Sequence, residues 1–224
     1  FIWSSNDDGT TWNQNQRVEI ESSEFDDIAG FFDEGFIYRN QSGKLFYWRG
    51  CTRGQRSYVL PDTRVAPTTE TDQVRRMIWW ESDNDGLKWT CRGNFGDYGQ
   101  MYPRVTALRD GRTLMTFTQR DILFPFGLRA RLGSRDSEEW EFEYDQIIIE
   151  GLTPWGFASG GGFGNTVQLE DGLLVSTYSY IGTDAKTHVE IVRWKLPTSA
   201  DDVFQFPDPM NDHRGDPEAI TQRD

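Results

Sequence analysis

Three segments of the 224-residue chain repeat one pattern: an apolar strand, a polar turn that closes on glycine, and a second apolar strand. The turn glycines are Gly43, Gly111 and Gly172. Two of these turns read Asp-Gly, which between alternating apolar runs is a strong short-range signal of a β-hairpin. The chain is therefore predicted to be built from hairpins that recur about every sixty residues, rather than from helices.

A repeat of this length holds about four short strands with their turns, which is the size of one β-propeller blade. Third strands are predicted at 74–80, 126–133 and 188–196, and fourth strands at 88–93 and 139–149. We therefore predict an all-β fold of four-stranded antiparallel propeller blades, with about three and a half blades in this chain. These blades occupy residues 1–204, and residues 205–224 form a polar C-terminal tail.

Composition excludes several classes of protein. Aromatic residues make up 14% of the chain, which argues against disorder, and no apolar run is long enough to span a membrane. The net charge of −13 disfavours nucleic acid as a partner. With only two histidines, and with neither a phosphate-binding nor a dinucleotide-binding motif, we predict no metal and no cofactor.

Two further signals are ambiguous in the sequence. Cys51 and Cys91 are compatible with one disulfide or with two buried thiols. Asn40-Gln41-Ser42 matches the glycosylation sequon, a triplet that is also common by chance. Several tryptophans stand at alternating strand positions, where packing between blades is favoured over stacking on a sugar: Trp48, Trp79, Trp80 and Trp155.

A second repeated element falls between third and fourth strands. It runs over residues 5–12, 82–89 and 134–140, and it pairs a Ser with an Asp or Asn two positions later and ends on Trp. Such side chains bond the backbone amides of their own turn, and Gly adopts the unfavourable dihedral angle. We call these segments the Ser/Asp turns and predict a structural role, without catalysis, for Asp7, Asn84 and Asp136.

The Ser-x-Asp-x-Gly-x-Thr-Trp turn at 5–12 resembles the Asp-box of sialidases and other BNR-repeat proteins, and 127–197 resembles the closing part of bacterial sialidase-like hydrolases. The resemblance covers about residues 1–197. It implies a six-bladed propeller of which this chain is the C-terminal half, with the N-terminal half as a partner. It also implies a secreted or extracytoplasmic glycoside hydrolase that removes a terminal, anionic sugar from a glycan.

The first strand of each propeller blade lines the central funnel. The residue nine positions before each turn glycine is Glu34, Tyr102 or Phe163. By the resemblance, Glu34 would activate a nucleophile and Arg49 would bind a substrate carboxylate, for which a planar guanidinium is suited. The alternative is a structural ion pair between Glu34 and Arg49 across the hairpin.

Further arginines and a tyrosine complete the predicted substrate-binding set. Arg129 precedes a Ser/Asp turn, as another triad arginine does in sialidases, and Arg131 has the same facing in strand alternation. By the same rule, Arg104 points to the same side of its strand as Tyr102. The competing interpretation is a row of solvent-exposed arginines along a strand. The predicted set is Arg49, Arg104, Arg120, Arg129 and Tyr178.

Phe163 is where the sequence departs from the sialidase pattern, which has a nucleophilic Tyr at this position. Phe carries no oxygen and cannot attack, so Tyr102 is the predicted catalytic substitute, with Tyr178 as a second choice. The departure keeps a non-catalytic glycan-binding or structural propeller as the rival function. A weaker third alternative is a polysaccharide lyase that uses Tyr102 and His188.

Overall fold

The computed structural model describes residues 2–13, 15, 17–18, 20, 32–52, 75–96, 100–119, 127–141, 145–150, 164–181 and 186–196. Within these ranges the chain forms eleven β-strands and no α-helix. The predicted C-terminal tail, Arg120, Trp155 and Phe163 lie outside the described residues. No helix in the described part of the chain could cross a membrane.

The strands form three antiparallel sheets. The first sheet has the order β1 (Phe32–Arg39), β2 (Leu45–Thr52), β3 (Arg75–Ser82), β4 (Thr90–Phe95). The second has the order β5 (Gln100–Ala107), β6 (Thr113–Gln119), β7 (Gly127–Gly133), β8 (Gln146–Glu150). In the third, β10 (Leu174–Ile181) lies between β11 (Thr187–Trp194) and β9 (Thr166–Gln168). The all-β antiparallel prediction is confirmed, while the blade count and four-stranded blades stay predictions.

The three predicted hairpins are present, and each has the expected turn chemistry. Gly43, Gly111 and Gly172 all have φ between 84° and 92°, in the left-handed region that favours glycine. A side-chain oxygen also accepts from the backbone N–H two residues further on, at Asp110 (2.9 Å) and at Asp171 (3.0 Å). Local sequence alone therefore determines where the chain reverses.

The three Ser/Asp turns share one hydrogen-bond pattern, which confirms their predicted structural role. The Ser hydroxyl accepts from a backbone amide, as Ser5 does from Gly9 at 2.9 Å and Ser82 from Gly86 at 3.0 Å. The tryptophan indole donates to the carbonyl three residues earlier in every copy, at 2.8–3.0 Å. The Asp7 and Asp136 carboxylates and the Asn84 side-chain amide therefore accept hydrogen bonds within their own turns.

The Asn40 side chain is part of the fold. Its Nδ2 donates to the Asp136 carbonyl at 2.6 Å, and its Oδ1 accepts from the amides of Ser42 and Lys44. The residue is buried. Because both ends of the amide are bonded inside the protein, the sequon is not accessible for glycosylation in the folded chain.

The first and second sheets pack face to face through an aromatic core. Phe46, Trp48 and Phe95 of the first sheet meet Met115 and Phe117 of the second. The rings of Trp48 and Trp79 stack at 6.1 Å with an interplanar angle of 5°. Burial of one such side chain stabilises the fold by about 1.5–3 kcal/mol. The predicted packing role is confirmed for Trp48 and Trp79, and Trp80 is buried on the opposite face.

The stack continues on both sides of this core. Leu114 and Ala130, on the other face of the second sheet, pack against Leu174 of the third. On the outer face of the first sheet, an N-terminal segment that includes Ile2 and Val18 covers Trp80. The layers therefore follow the chain order: N-terminal segment, first sheet, second sheet, third sheet.

The strand register excludes the disulfide alternative for the two cysteines. Cys51 pairs with Arg76 on β3, and Cys91 pairs with Trp80 on the other side of the same strand. Two strand spacings and the rise from residue 76 to residue 80 separate the two Cα atoms by about 16 Å. A disulfide requires less than about 7 Å. The two cysteines therefore do not pair with each other in the folded chain.

The second and first Ser/Asp turns offer a matched test of burial. The bond between Ser82 and Gly86 is buried, whereas the bond between Ser5 and Gly9 is exposed. We expect Ser82→Ala to lower the free energy of unfolding by about 1–2 kcal/mol, because a buried amide loses its acceptor. Ser5→Ala should cost less than Ser82→Ala, because water can replace the lost hydrogen bonds at an exposed turn. Urea denaturation of both variants measures the difference, and equal losses would contradict this account.

The Asp7 carboxylate gives the N-terminal turn a pH dependence of defined sign. Hydrogen bonds, first from the Ser5 hydroxyl and next from Thr11, lower its pKa from 3.8 to about 2. Because the folded-state pKa is the lower one, this carboxylate stabilises the turn fully above pH 3.8 and loses that effect as the pH falls towards about 2. We expect Ser5→Ala to raise the pKa of Asp7, and Thr11→Val to raise it less, in a carboxyl ¹³C NMR titration. An unchanged pKa in Ser5→Ala would contradict the assignment.

Candidate functional site

The three sheets have their hairpin turns on the same side of the stack. A hairpin turn of the first sheet contacts a Ser/Asp turn of the second, with Lys44 Nζ 2.6 Å from Glu138 Oε1. Between the second and third sheets, the Arg109 amide donates to Gln168 Oε1 at 2.9 Å. All these contacts lie at the strand ends that carry the hairpin turns, which we call the turn side. The opposite ends of the strands, where β1, β5 and β7 begin and β2, β6 and β10 end, therefore form a second edge, which we call the rim.

Most of the predicted site residues belong to the rim half of their strands. They are Glu34 in β1, Arg49 in β2, Tyr102 in β5, Arg129 in β7 and Tyr178 in β10. The first strands β1 and β5 contact each other, so the Glu34 and Tyr102 positions lie on neighbouring strands. The side chain of Glu34 is outside the described part of the structure, as are Arg120 and Phe163.

A β-bulge interrupts both β1 and β5 at the predicted catalytic positions. Phe32 pairs with Cys51 and Gly35 pairs with Arg49, so Asp33 and Glu34 both lie opposite one residue of β2.

In β5, Met101 pairs with Thr118 and Arg104 with Thr116, which places Tyr102 and Pro103 opposite Phe117. Tyr102 has a φ of 56°, which is uncommon for a residue other than glycine. Bulges redirect side chains and are enriched next to active sites.

Arg49 is half-buried on the outer face of the first sheet. Its guanidinium carbon lies 4.9 Å from the centroid of the Trp80 ring, a cation–π distance. The side chain therefore faces the side covered by the N-terminal segment, away from the second sheet. Arg49 is directly opposite Gly35, the residue after Glu34.

Arg129 lies between the first and second sheets and is fully buried. It pairs with Phe117, whose ring belongs to the core shared with Phe46 and Trp48. The first sheet therefore separates Arg129 from Arg49, and the structure does not bring these two guanidinium groups together. The Arg129 side chain has no contact with solvent.

Arg131 forms a buried ion pair that sequence reasoning did not find. Its Nε and Nη2 donate to the two carboxylate oxygens of Asp145 at 2.8 and 2.9 Å, and the exposed fractions of the two side chains are 2% and 0%. The guanidinium also lies 4.9 Å from the Phe117 ring centroid and 3.5 Å from Gln100 Oε1. Arg131 thus links the first and fourth strands of the second sheet. Nothing local in the sequence marks Asp145 as its partner.

Arg104 lies near the centre of β5 and contacts Phe36 of β1. The prediction that it faces the same way as Tyr102 assumes unbroken alternation, which the bulge interrupts. Its guanidinium carbon is 5.1 Å from the Phe36 ring centroid, and Nη1 donates to the Pro103 carbonyl at 2.8 Å. Phe36 lines a cleft of about 400 Å³ with residues of β5 and β9, such as Thr106 and Thr166. Residues from β1, β5 and β9 therefore share one open space.

The tyrosines of the predicted site are both buried. Tyr102 belongs to the core of the second sheet, and Tyr178 packs against Leu128 between the second and third sheets. His188 is on β11 of the third sheet, so the Tyr102–His188 combination of the lyase alternative draws on two different sheets. No group of His, Cys, Asp and Glu suited to a metal occurs among the described residues.

Comparisons with known proteins yield a likeness of fold. No family model matches the chain, and no curated protein matches it. A protein of unknown function from Dyadobacter fermentans has a TM-score of 0.61 at 15% identity, over 87% of this chain and 45% of that one. A family 117 glycoside hydrolase from Zobellia galactanivorans has a TM-score of 0.55 at 12% identity, over 86% and 60%.

An intramolecular trans-sialidase from Ruminococcus gnavus, solved with oseltamivir carboxylate, has a TM-score of 0.51 at 14% identity, over 92% of this chain and 39% of that one. The chain thus spans less than two thirds of each of these three structures. Its fold is similar to that of glycoside hydrolases, a trans-sialidase among them.

The Arg131–Asp145 pair supports a stability prediction with an internal control. Asp145→Ala should lower the free energy of unfolding by about 3–5 kcal/mol, because it leaves a buried guanidinium without its anion. Replacing both partners, with Arg131→Met and Asp145→Leu, should cost less than the single change. Arg112→Ala, which breaks an exposed pair with Asp110, should cost no more than about 1 kcal/mol. Denaturant unfolding measures all three, and an Asp145→Ala loss no larger than that of Arg112→Ala would contradict the prediction.

Proposed function

We propose that the chain is part of a β-propeller glycoside hydrolase that removes a terminal, anionic sugar from glycans outside the cytoplasm. The observation that carries this proposal is the pair of bulged first strands, β1 and β5, which are in contact and hold Glu34 and Tyr102 at the rim. The three stacked sheets, with β1, β5 and β9 around one cleft, support their assignment as propeller blades.

The chemistry assigned to this pair is nucleophilic catalysis. The Tyr102 oxygen attacks the anomeric carbon as its proton passes to Glu34, and the glycosidic bond breaks through an oxocarbenium-like transition state. Water then releases the sugar from the tyrosine. The acid that protonates the leaving oxygen belongs, by the sialidase resemblance, to sequence outside this chain. Tyr102 is buried in the structure, so the proposal requires the rim to open towards substrate.

An anionic substrate requires local cations, because the chain as a whole carries a net charge of −13. Arg49 is half-buried at the rim, and the guanidinium of Arg104 lies 5.1 Å from the ring of Phe36, which lines the cleft. A guanidinium pairs with a carboxylate through two parallel hydrogen bonds, which gives both affinity and orientation. We therefore assign binding of the substrate carboxylate first to Arg49 and Arg104. The buried Arg129 would reach the substrate only if the first and second sheets separated.

A specific observation favours one rival function. The sialidase-like nucleophile position holds Phe163, which cannot form a covalent intermediate. A propeller with its arginines but without a nucleophile would bind an acidic glycan and release it unchanged. The rival is therefore a non-catalytic glycan-binding propeller.

Release of fluorophore from a 4-methylumbelliferyl sialoside tests the proposal. We expect Tyr102→Phe to abolish turnover and Glu34→Gln to lower kcat by about 10²–10⁴. Arg49→Ala should raise KM by about 10- to 100-fold through loss of a charge-assisted contact. Arg112→Ala, an exposed change at the turn side, serves as the control and should leave both constants unchanged.

Calorimetric titration with the non-fluorescent sialoside runs alongside the assay. Binding without turnover, weakened by Arg49→Ala and indifferent to Tyr102→Phe, would favour the rival. Absence of both binding and turnover, for sialosides and for uronic acid glycosides, would reject both functions.

A further inference from the structure

The Tyr47 side chain reaches across the first strand of the first sheet, beside a predicted catalytic position. Tyr47 is a β2 residue that pairs directly with Ile37, but its ring leans towards the rim and lies over Gly35. A Cβ atom added to Gly35 would be 2.6 Å from the Tyr47 hydroxyl oxygen and 2.7 Å from Cζ, closer than real Cβ atoms approach. Because position 35 has no side chain, the phenol extends over β1 to the residue that follows Glu34.

Aromatic contacts orient this phenol beside an arginine. The ring centroids of Tyr47 and Trp80 are 5.6 Å apart, and Trp89 lies edge-on at 6.1 Å. The Arg49 guanidinium carbon is 4.9 Å from the centroid of the same Trp80 ring. Tyr47 and Arg49 are two residues apart on one strand, so both point to the same side of the sheet. Since Arg49 pairs with Gly35, a phenol hydroxyl and a guanidinium share one face next to this glycine.

The other two repeats carry different residues at the equivalent positions. Four residues after the turn glycine they have Met115 and Ser176. Six residues after it they have Phe117 and Tyr178. All four are buried, whereas the tyrosine and the arginine of the first repeat are half-buried. The fold therefore does not require a tyrosine followed by an arginine at these positions, and the pair is a property of the first repeat.

Of the two tyrosines in the β1–β2 hairpin, Tyr47 is the one on the same face as Arg49. Tyr38 packs on the opposite face, against the core between the first and second sheets. Tyr102 belongs to the second sheet, from which the Arg49 side chain points away. A carboxylate bound by Arg49 is therefore on the side of the sheet that carries the Tyr47 hydroxyl.

We propose that the Tyr47 hydroxyl donates a hydrogen bond to the sugar carboxylate that Arg49 binds, so that the two residues together select an acidic sugar over its neutral counterpart. This inference rests on the proposed function, which assigns the carboxylate to Arg49. A carboxylate has about four lone-pair sites, and a guanidinium uses two of them with parallel N–H donors. The remaining sites accept a phenol O–H. Tyr47 is thus a specificity-determining residue, and it takes no part in bond breaking.

Calorimetric titration of the 224-residue chain tests this role. The ligands are the methyl α-glycoside of N-acetylneuraminic acid and the methyl ester of the same glycoside. Binding is measured because it does not need the acid that the proposed function places outside this chain. Tyr47→Phe keeps the ring next to Trp80 and removes only the hydroxyl. We expect it to weaken binding of the acid by about 10- to 100-fold, through loss of a hydrogen bond to a charged group, and to leave binding of the ester unchanged.

Three further variants separate this role from a structural one. Tyr38→Phe removes a hydroxyl from the opposite face of the same hairpin, and as the matched control it should change neither affinity. Gly35→Ala places a methyl group against the Tyr47 hydroxyl, so it should weaken binding of the acid more than that of the ester. If both residues bind one carboxylate, Tyr47→Phe combined with Arg49→Ala should weaken binding by less than the product of the two single effects.

The outcomes distinguish this inference from the proposed function. Undiminished binding of the acid by Tyr47→Phe would overturn the inference and leave the proposed function standing. An equal loss for acid and ester would also overturn it, because the hydroxyl would then act on the fold alone. Equal affinity of the unmodified chain for acid and ester would overturn it as well. If the unmodified chain binds neither sialosides nor uronic acid glycosides, the proposed function fails and the inference is rejected with it.

Discussion

Face-to-face burial of sheets is the interaction on which the rest of this structure depends. A single antiparallel sheet has no core of its own, and only the stacking of sheets removes both of its faces from water. Trp48 on the first sheet and Phe117 on the second are fully buried because each lies under the neighbouring sheet. Since 36% of the residues are hydrophobic, the chain meets this demand largely with aromatic rings, which bury a large area per residue.

The parts of the fold that sequence reasoning predicted well are those fixed by local chemistry. Gly43, Gly111 and Gly172 need positive φ, and Ser82 bonds an amide four residues away, so each turn is determined within a few residues. Third strands predicted at 74–80, 126–133 and 188–196 are found at 75–82, 127–133 and 187–194. Alternation within β2 and β3 was sufficient to assign Trp48 and Trp79 to packing.

The candidate site was harder to predict because it depends on strand pairing and on distant contacts. The bulges at Glu34 and Tyr102 depend on how each strand pairs with its partner strand. Each bulge reverses the side of the sheet to which the earlier residues of that strand point. Parity arguments across a bulge therefore fail, as for Arg104. Arg131 would belong to a solvated ladder by alternation alone, but the second sheet brings Asp145 to it and the first sheet covers it.

The two ends of the strands differ in the interactions they make. At the turn side, short-range hydrogen bonds close every hairpin, and contacts such as that of Lys44 with Glu138 lock neighbouring sheets together. At the rim, the strands carry buried polar residues, Gln100 and Gln119 among them, where an apolar residue would pack at lower cost. Arg49 and Arg129 lie on opposite sides of the first sheet, so these two predicted cations do not share one surface. A rim site that used both arginines would therefore need side chains from more than one sheet, so the packing between sheets, rather than one repeat, would set its geometry.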